Sequence, residues 1–177
     1  QEFWPSKKEH ELYEMVSEYL QRPELYALPN AQRKLMILIM RKLLASSTFA
    51  IAGTLDSLVK RLSGKLHDHK QSFKDLKWID DDFELVSEYE DELSIVDTPE
   101  VPEDIDVESL EAEIKELELF RDLALSITEN AKGIALIKAL KAGFAKTNDL
   151  GAQNKAIIFT ESRRTQDYLV NLLSDNG

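Results

Sequence analysis

The chain contains no cysteine, which excludes disulfides and thiolate metal sites and fits a reducing compartment. No apolar run approaches the length of a membrane span. The chain does not open on a basic stretch followed by an apolar one, as a secretory leader would. A cytoplasmic protein without membrane contact is expected. There is no Gly-x-x-x-x-Gly-Lys-Ser/Thr sequence to cradle nucleotide phosphates, and no Asp-Glu-x-His box to hold magnesium. These residues are therefore not expected to hydrolyse ATP by themselves.

What is present is 177 residues, 43% of them hydrophobic, enough for one domain or two small ones. The net charge of −11 argues against a nucleic-acid partner until it is mapped along the chain. Residues 75–118 carry 19 acids and 2 bases, a local net of −17, and everything else sums to +6. A mildly basic body is interrupted by an acidic segment.

Ser6 and Glu9 have capping-box spacing, and Leu12, Tyr13, Val16, Tyr19 and Leu20 follow as one helical stripe that Pro23 ends. The residues before it, "EFW", fit the end of a strand. Asn30 can cap the next helix, which is apolar on more than half its circumference through Leu35, Met36, Leu38, Ile39, Met40 and Leu43. A third helix starts at Ser46 or Ser47, carries Ile51, Leu55, Leu58, Val59 and Leu62 in step, and is expected to terminate at Gly64. Residues 75–106 lose the periodicity and read as a long acidic connection. Beyond it, Leu110, Ile114, Leu117, Phe120 or Arg121, and Leu125 mark one helix. Asn130 caps another, whose Ile134, Ile137, Leu140 and Phe144 are expected to face inward. "NDLGAQN" then makes a turn.

After that turn, "KAIIFTESRRTQDYLVNLL" puts four apolar residues, Ala156 to Phe159, directly before a polar turn and a last helix. The run reads as a buried strand of a parallel sheet, and Tyr168, Leu169, Leu172 and Leu173 read as core. A parallel strand needs neighbours for its backbone hydrogen bonds, and the remaining sequence offers almost none. The expected fold class is mostly α: a helical bundle with one parallel-type strand followed by a helix, a truncated piece of an α/β lobe. The alternative is a helical domain with one irregular apolar segment. In the turn, Thr160, Ser162, Arg163, Arg164 and Thr165 collect hydroxyls and two cations at the positive end of a helix. That arrangement suits an anion, phosphate above all. The simpler alternative is that Ser162 caps the helix and the arginines are solvated.

The segment "KAIIFTESRRTQDYLVNLLSDNG" closely resembles the opening of the second RecA-like lobe in Swi/Snf-type members of helicase superfamily 2. "NAKGIALIKAL" resembles the helix leading into that strand. "LMILIMRKLLASSTFAIAGTLDSLVKRL" resembles the helical region between lobes in the bacterial subgroup that includes the RNA-polymerase-associated ATPase. "FWPSKKEHELYEMVSEYL" resembles the exit from the first lobe. About two thirds of the chain is covered, in the family's order.

The resemblance implies a fragment of an ATP-dependent translocase acting on double-stranded nucleic acid. Residues 1–74 would be interlobe helices, 75–106 the acidic connection, and 107–177 helices plus the first strand–helix unit of the second lobe. It implies a backbone-phosphate contact for Ser162 and Arg163, then Thr160 and Arg164, with Thr165 completing the turn. ATP and magnesium would be bound by the rest of the parent protein, with no cofactor in this part. The family's arginine finger would lie outside these residues. Further expected partners are duplex DNA, the remaining lobes, and a second copy of the chain through an orphan strand edge. The competing reading is a helical protein-interaction module that binds neither nucleic acid nor nucleotide.

Three other constellations are weaker. His67, Asp68 and His69 have two-ligand spacing, against a solvated loop. "DDDFELVSEYEDE" lacks the glycine of a calcium loop and reads as a solvated connection, or as a polyanion gating the basic flanks. The basic pairs Arg33–Lys34, Arg41–Lys42 and Lys60–Arg61 read as surface solvation rather than a binding stripe.

Overall fold

In the computed structural model, residues 4–28, 33–67, 106–160 and 162–176 are described. They form six α-helices: α1 Lys7–Gln21, α2 Arg33–Ser46, α3 Thr48–His67, α4 Val107–Leu125, α5 Ala131–Asp149 and α6 Arg163–Asn176. The acidic connection 75–105, the Asn30 cap, Glu161 and the Asp68–His69 pair lie outside the described residues. So do the first two residues of "EFW" and the side chain of His67.

The local start and stop signals act as the sequence predicts. The Ser6 hydroxyl accepts from the Glu9 amide at 3.2 Å while the Glu9 carboxylate accepts from the Ser6 amide at 2.6 Å, a reciprocal capping box. The Ser47 hydroxyl accepts from the Ala50 amide at 3.1 Å and starts α3. Asn130 Oδ1 accepts from the amides of Lys132 and Gly133 at the head of α5. At the other end of α5, Gly151 takes φ +68°. The Ala152 and Gly151 amides then donate to the carbonyls of Thr147 and Asn148, which closes a Schellman cap. Gly64 does not terminate α3, which runs on to His67. Leu66 beyond it packs against the core, and that packing carries the helix through the glycine.

The core is made by α1 to α4. Leu12, Val16, Tyr19 and Leu20 of α1 and Leu35, Met36, Ile39, Met40, Leu43 and Leu44 of α2 are buried. They meet Ile51, Leu55, Leu58, Val59 and Leu62 of α3 and Leu110, Ile114, Leu117, Phe120 and Ala124 of α4. The most extensive packing is between α3 and α4. Phe120, not Arg121, takes the inward position and meets the Tyr19 ring edge-on at 5.7 Å. Tyr13, Leu38 and Leu125, expected in the stripes, stand exposed at the stripe edges.

One acid lies inside this core. The Glu113 carboxylate accepts from the Tyr19 hydroxyl at 2.7 Å, the Tyr26 amide at 2.8 Å and the Ala27 amide at 2.9 Å. Arg61 of α3, expected at the surface, is instead half-buried and donates to the Ala27 carbonyl. Lys65, one turn on, reaches the Tyr26 carbonyl at 3.4 Å. Burial pushes the Arg61 pKa down, opposed by the nearby Tyr19 and Glu113. Burial, together with the Arg61 charge, pulls Lys65 down to about 8, against the Glu113 attraction. Tyr19 is pushed well above the ordinary tyrosine value by burial and then by Glu113. The carboxylate joins α4 to α1 and to the 22–28 loop, and Arg61 and Lys65 tie α3 to the same loop.

The expected β-strand is not formed. Among the described residues there is no strand; 152–160 run without regular structure, and Ile157 and Phe159 stand 83% and 89% exposed. A strand exists through the ladder bonds of a neighbour, and here no ladder forms. The α/β component of the expected fold class is therefore not supported, and the observed fold is helical. For the same lack of a covering layer, Ile134, Ile137, Leu140 and Phe144 of α5 are not buried. Tyr168, Leu169, Leu172 and Leu173 of α6 are half-buried rather than core. The contact between these two helices is short and runs through Gly133.

Removing the Glu113 carboxylate leaves two amides and a hydroxyl without an acceptor inside the core. Glu113→Ala is expected to cost about 3–5 kcal/mol in a urea unfolding titration, against less than about 1 kcal/mol for Tyr13→Ala at the stripe edge. Lys65 gives a second expectation. Between about pH 8 and its ordinary value of 10.5, the unfolded chain holds a proton that the folded chain releases. Stability should therefore rise with pH through that window. Above pH 10.0 Tyr19 opposes the rise, because it stays neutral in the fold while an unfolded tyrosine ionises. The clean interval is pH 8 to 10, and Lys65→Met should flatten the stability profile there.

Candidate anion-binding cleft

Three helices begin at one place. The caps of α3, α5 and α6 (Ser47, Asn130 and Ser162) all line a cleft of about 350 Å³. Its other walls are Lys42 and Ser46 at the end of α2, Lys132, Gly133 and Leu136 of α5, Phe159 and Thr160 before α6, and Thr165, Tyr168 and Leu169 of α6. Among the described lining residues two are lysines and none is an acid.

The five turn residues are divided by the fold. The Ser162 hydroxyl accepts from the Thr165 amide at 3.4 Å, and its carbonyl accepts from the Gln166 amide at 2.9 Å, so Ser162 is the cap of α6. It is buried, as is Thr165, whose hydroxyl shares hydrogen bonds with Ser46 at 2.9 Å and Ser47 at 3.4 Å. These bonds tie the head of α6 to the α2–α3 corner. Arg164 turns away from solvent. Its guanidinium lies against the face of α3 at Gly53, in the space that any β-carbon there would occupy. Thr160 and Arg163 are exposed. Of the expected phosphate contacts, these two remain accessible, while Ser162, Arg164 and Thr165 hold α6 in place.

The opposite wall is set by α5. The Lys132 ammonium donates to the Ala45 carbonyl near the C-terminus of α2, where a cation is favourable to the helix dipole. Lys42, one turn back on α2, reaches the same cleft. Gly133 lets α6 approach: a β-carbon there would collide with the Tyr168 hydroxyl and sit 2.9 Å from Leu172. The Tyr168 ring stacks on Phe49 at 6.1 Å. Burial raises the Tyr168 pKa and Glu9 adds to the rise, while a hydrogen bond from the Asn130 backbone opposes it. Glu9 is the nearby acid, and its two oxygens are engaged by the Ser6 and Ala131 amides.

Lys132 was not singled out by sequence reasoning, and Lys42 was assigned to solvent. The signal that would have found Lys132 is the one that singled out Arg163 and Arg164: a cation in the first turn of a helix, beside its cap. Of the remaining basic residues, Lys60 pairs with Asp56 at 2.6 Å and Arg33 donates to the Pro23 carbonyl. No group of three or more His, Cys, Asp or Glu among the described residues could hold a metal. No helix among them is long and apolar enough to cross a membrane.

No family model, curated protein or solved structure matches the chain.

The cleft depends on the close approach of α5 and α6. Gly133→Val should separate them, at a cost of about 1–3 kcal/mol for the forced overlap. The loss should be local. In amide hydrogen exchange, α5 and α6 should lose protection while α3 and α4 keep theirs; equal loss across all helices would show that the two parts unfold as one.

Proposed function

We propose that this chain is part of an ATP-dependent, Swi/Snf-type nucleic-acid translocase that acts on duplex DNA. In this reading it contributes the helices between the two RecA-like lobes and the start of the second lobe. The observation that carries the reading is the placement of Thr160 and Arg163. Both stand exposed, Thr160 in the lining of a cleft that also holds Lys42 and Lys132, and Arg163 in the first turn of α6. Hydroxyls and cations gathered at the heads of helices make a surface suited to phosphate. The exposed apolar residues of 156–159 fit the same reading, because further strands of a RecA-like lobe would cover them. ATP and magnesium belong to the parent enzyme, and the fragment does not hydrolyse ATP alone. The parent acts in the cytoplasm.

A second reading is favoured by the same exposed apolar surface. Ile157, Phe159, Leu150 and Ile134 of α5 are what a helical protein-interaction module would bury against its partner. The two readings separate on nucleic acid. Duplex binding by the chain should be weak, and log affinity should fall linearly with log salt concentration. Arg163→Ala should weaken binding and make the salt slope shallower by about one phosphate, or about 0.9. Fluorescence anisotropy with a labelled duplex reads both. No binding at low salt, or binding that ignores Arg163, would leave the interaction module as the better reading.

A further inference from the structure

Resting on the nucleic-acid reading, we propose that the outer face of α5 is a second contact surface for the phosphate backbone of duplex DNA, carried by Lys138, Lys141, Lys146 and Lys155. Residues 138–155 hold these four lysines and one acid, Asp149, a local net of +3 in a chain whose net charge is −11. All four lysines are exposed. Their side chains form no hydrogen bond or ion pair among the described residues. That sets them apart from Arg22, Lys60 and Arg121, which pair with Glu116, Asp56 and Asp122.

Helix stability does not account for this placement. Lys138 and Lys141 are three residues apart on one face, where like charges repel. The positions three and four away from them are otherwise Ile134, Ala135, Ile137, Ala142, Phe144 and Ala145, so no acid within the helix offsets that repulsion. Both stand mid-helix, away from the last turn, where Lys146 lies and where the dipole favours a cation. Past the helix, Gly151 at φ +68° folds the chain back, and the Thr147 hydroxyl donates to Asn154 Oδ1 at 2.7 Å. Lys146 and Lys155 flank that bond, so residues nine apart in sequence are brought to one end of α5. The exposed ground between the lysines is Ala139, Ala142, Gly143 and Ala145, which lets the helix approach a partner closely. From Lys138 to Lys146 the helix rises about 12 Å, close to the width of a major groove. Lysines at the two ends can therefore reach phosphates on either side of it. Lysine meets phosphate as a point charge, and such contacts position a duplex without reading its sequence.

The test uses the whole chain and a labelled DNA duplex, with affinity read by fluorescence anisotropy across salt concentrations. Three double variants are compared. Lys138→Gln with Lys141→Gln changes the middle of α5, and Lys146→Gln with Lys155→Gln changes its end. The control, Lys7→Gln with Lys115→Gln, alters α1 and α4. All six lysines are exposed, so the packed core is untouched. Each α5 pair should make the slope of log affinity against log salt shallower by about two phosphates, or about 1.8. The control pair changes the net charge equally and should leave the slope as it was.

Equal effects from all three pairs would show a response to net charge alone and overturn the proposal. Carbodiimide cross-links in the free chain, from these lysines to carboxylates of the acidic stretch 75–105, would also overturn it, by giving the face an occupant within the chain. Duplex binding that needs Arg163 but not the α5 lysines would sink this inference and leave the proposed function standing. Binding that needs the lysines but not Arg163 would support the α5 surface and count against the turn on which the proposed function rests. No duplex binding at low salt would overturn both.

Discussion

The described structure depends on one buried carboxylate. Glu113 accepts three hydrogen bonds, one from α1 and two from the loop that follows it, while Arg61 and Lys65 of α3 tie the same loop through its carbonyls. A buried carboxylate is costly unless hydrogen-bonded; this one gains its partners only when α1, the loop and α4 are in register, and α3 is held to the same loop by Arg61 and Lys65. The apolar stripes supply most of the driving force for packing, but many sliding arrangements would bury them nearly as well. The Glu113 cluster selects one. The geometry of the cleft follows, because α2 and α3 meet at Ser46 and Ser47, and those hydroxyls hold the head of α6 through Thr165.

The molecule is uneven. In α1 to α4 the apolar stripes are buried and the Glu113 carboxylate among them accepts three hydrogen bonds. From Leu150 onward apolar side chains face solvent: Leu150, Ile157 and Phe159 are each more than 80% exposed. Along α5, Ile137, Leu140 and Phe144 are half-buried and Ile134 is exposed. The cations gather where three helices begin, and the exposed apolar residues stand after α5 and in the segment before α6, where Phe159 lines the same cleft. The translocase reading uses both, the interaction-module reading only the second.

Much of this was legible in the sequence. The capping box at Ser6 and Glu9, the Asn130 cap, the turn at Gly151 and the inward faces of the first four helices follow from local chemistry and 3.6-residue spacing. Glu113 was hidden by its neighbourhood. It is one of 19 acids in the stretch 75–118 and lies in a helix read through its apolar residues alone, yet Leu110, Glu113, Ile114 and Leu117 have the i, i+3, i+4, i+7 spacing that places it on the apolar face. Arg61 and Lys65 were hidden in the same way, as ordinary basic residues four apart on a helix. The failures at α5 and 156–159 have a different origin. Periodicity and apolar runs show which face wants a partner but not whether one is there, and ladder hydrogen bonds are never a property of a single segment. In the turn, the residue types suggested five phosphate contacts, and the fold spends three of them on capping, on Ser46 and Ser47, and on the face of α3 at Gly53.

The direct test of the Glu113 cluster is hydrogen exchange at the Tyr26 and Ala27 amides. Both lie in a loop, where exchange is ordinarily fast. If the carboxylate fixes the register of α1, α3 and α4, these two amides should exchange as slowly as those in the middle of α3 and α4, through global unfolding only. Fast exchange at both, with α3 and α4 still protected, would show that the loop opens without the core and that Glu113 does not hold the fold together.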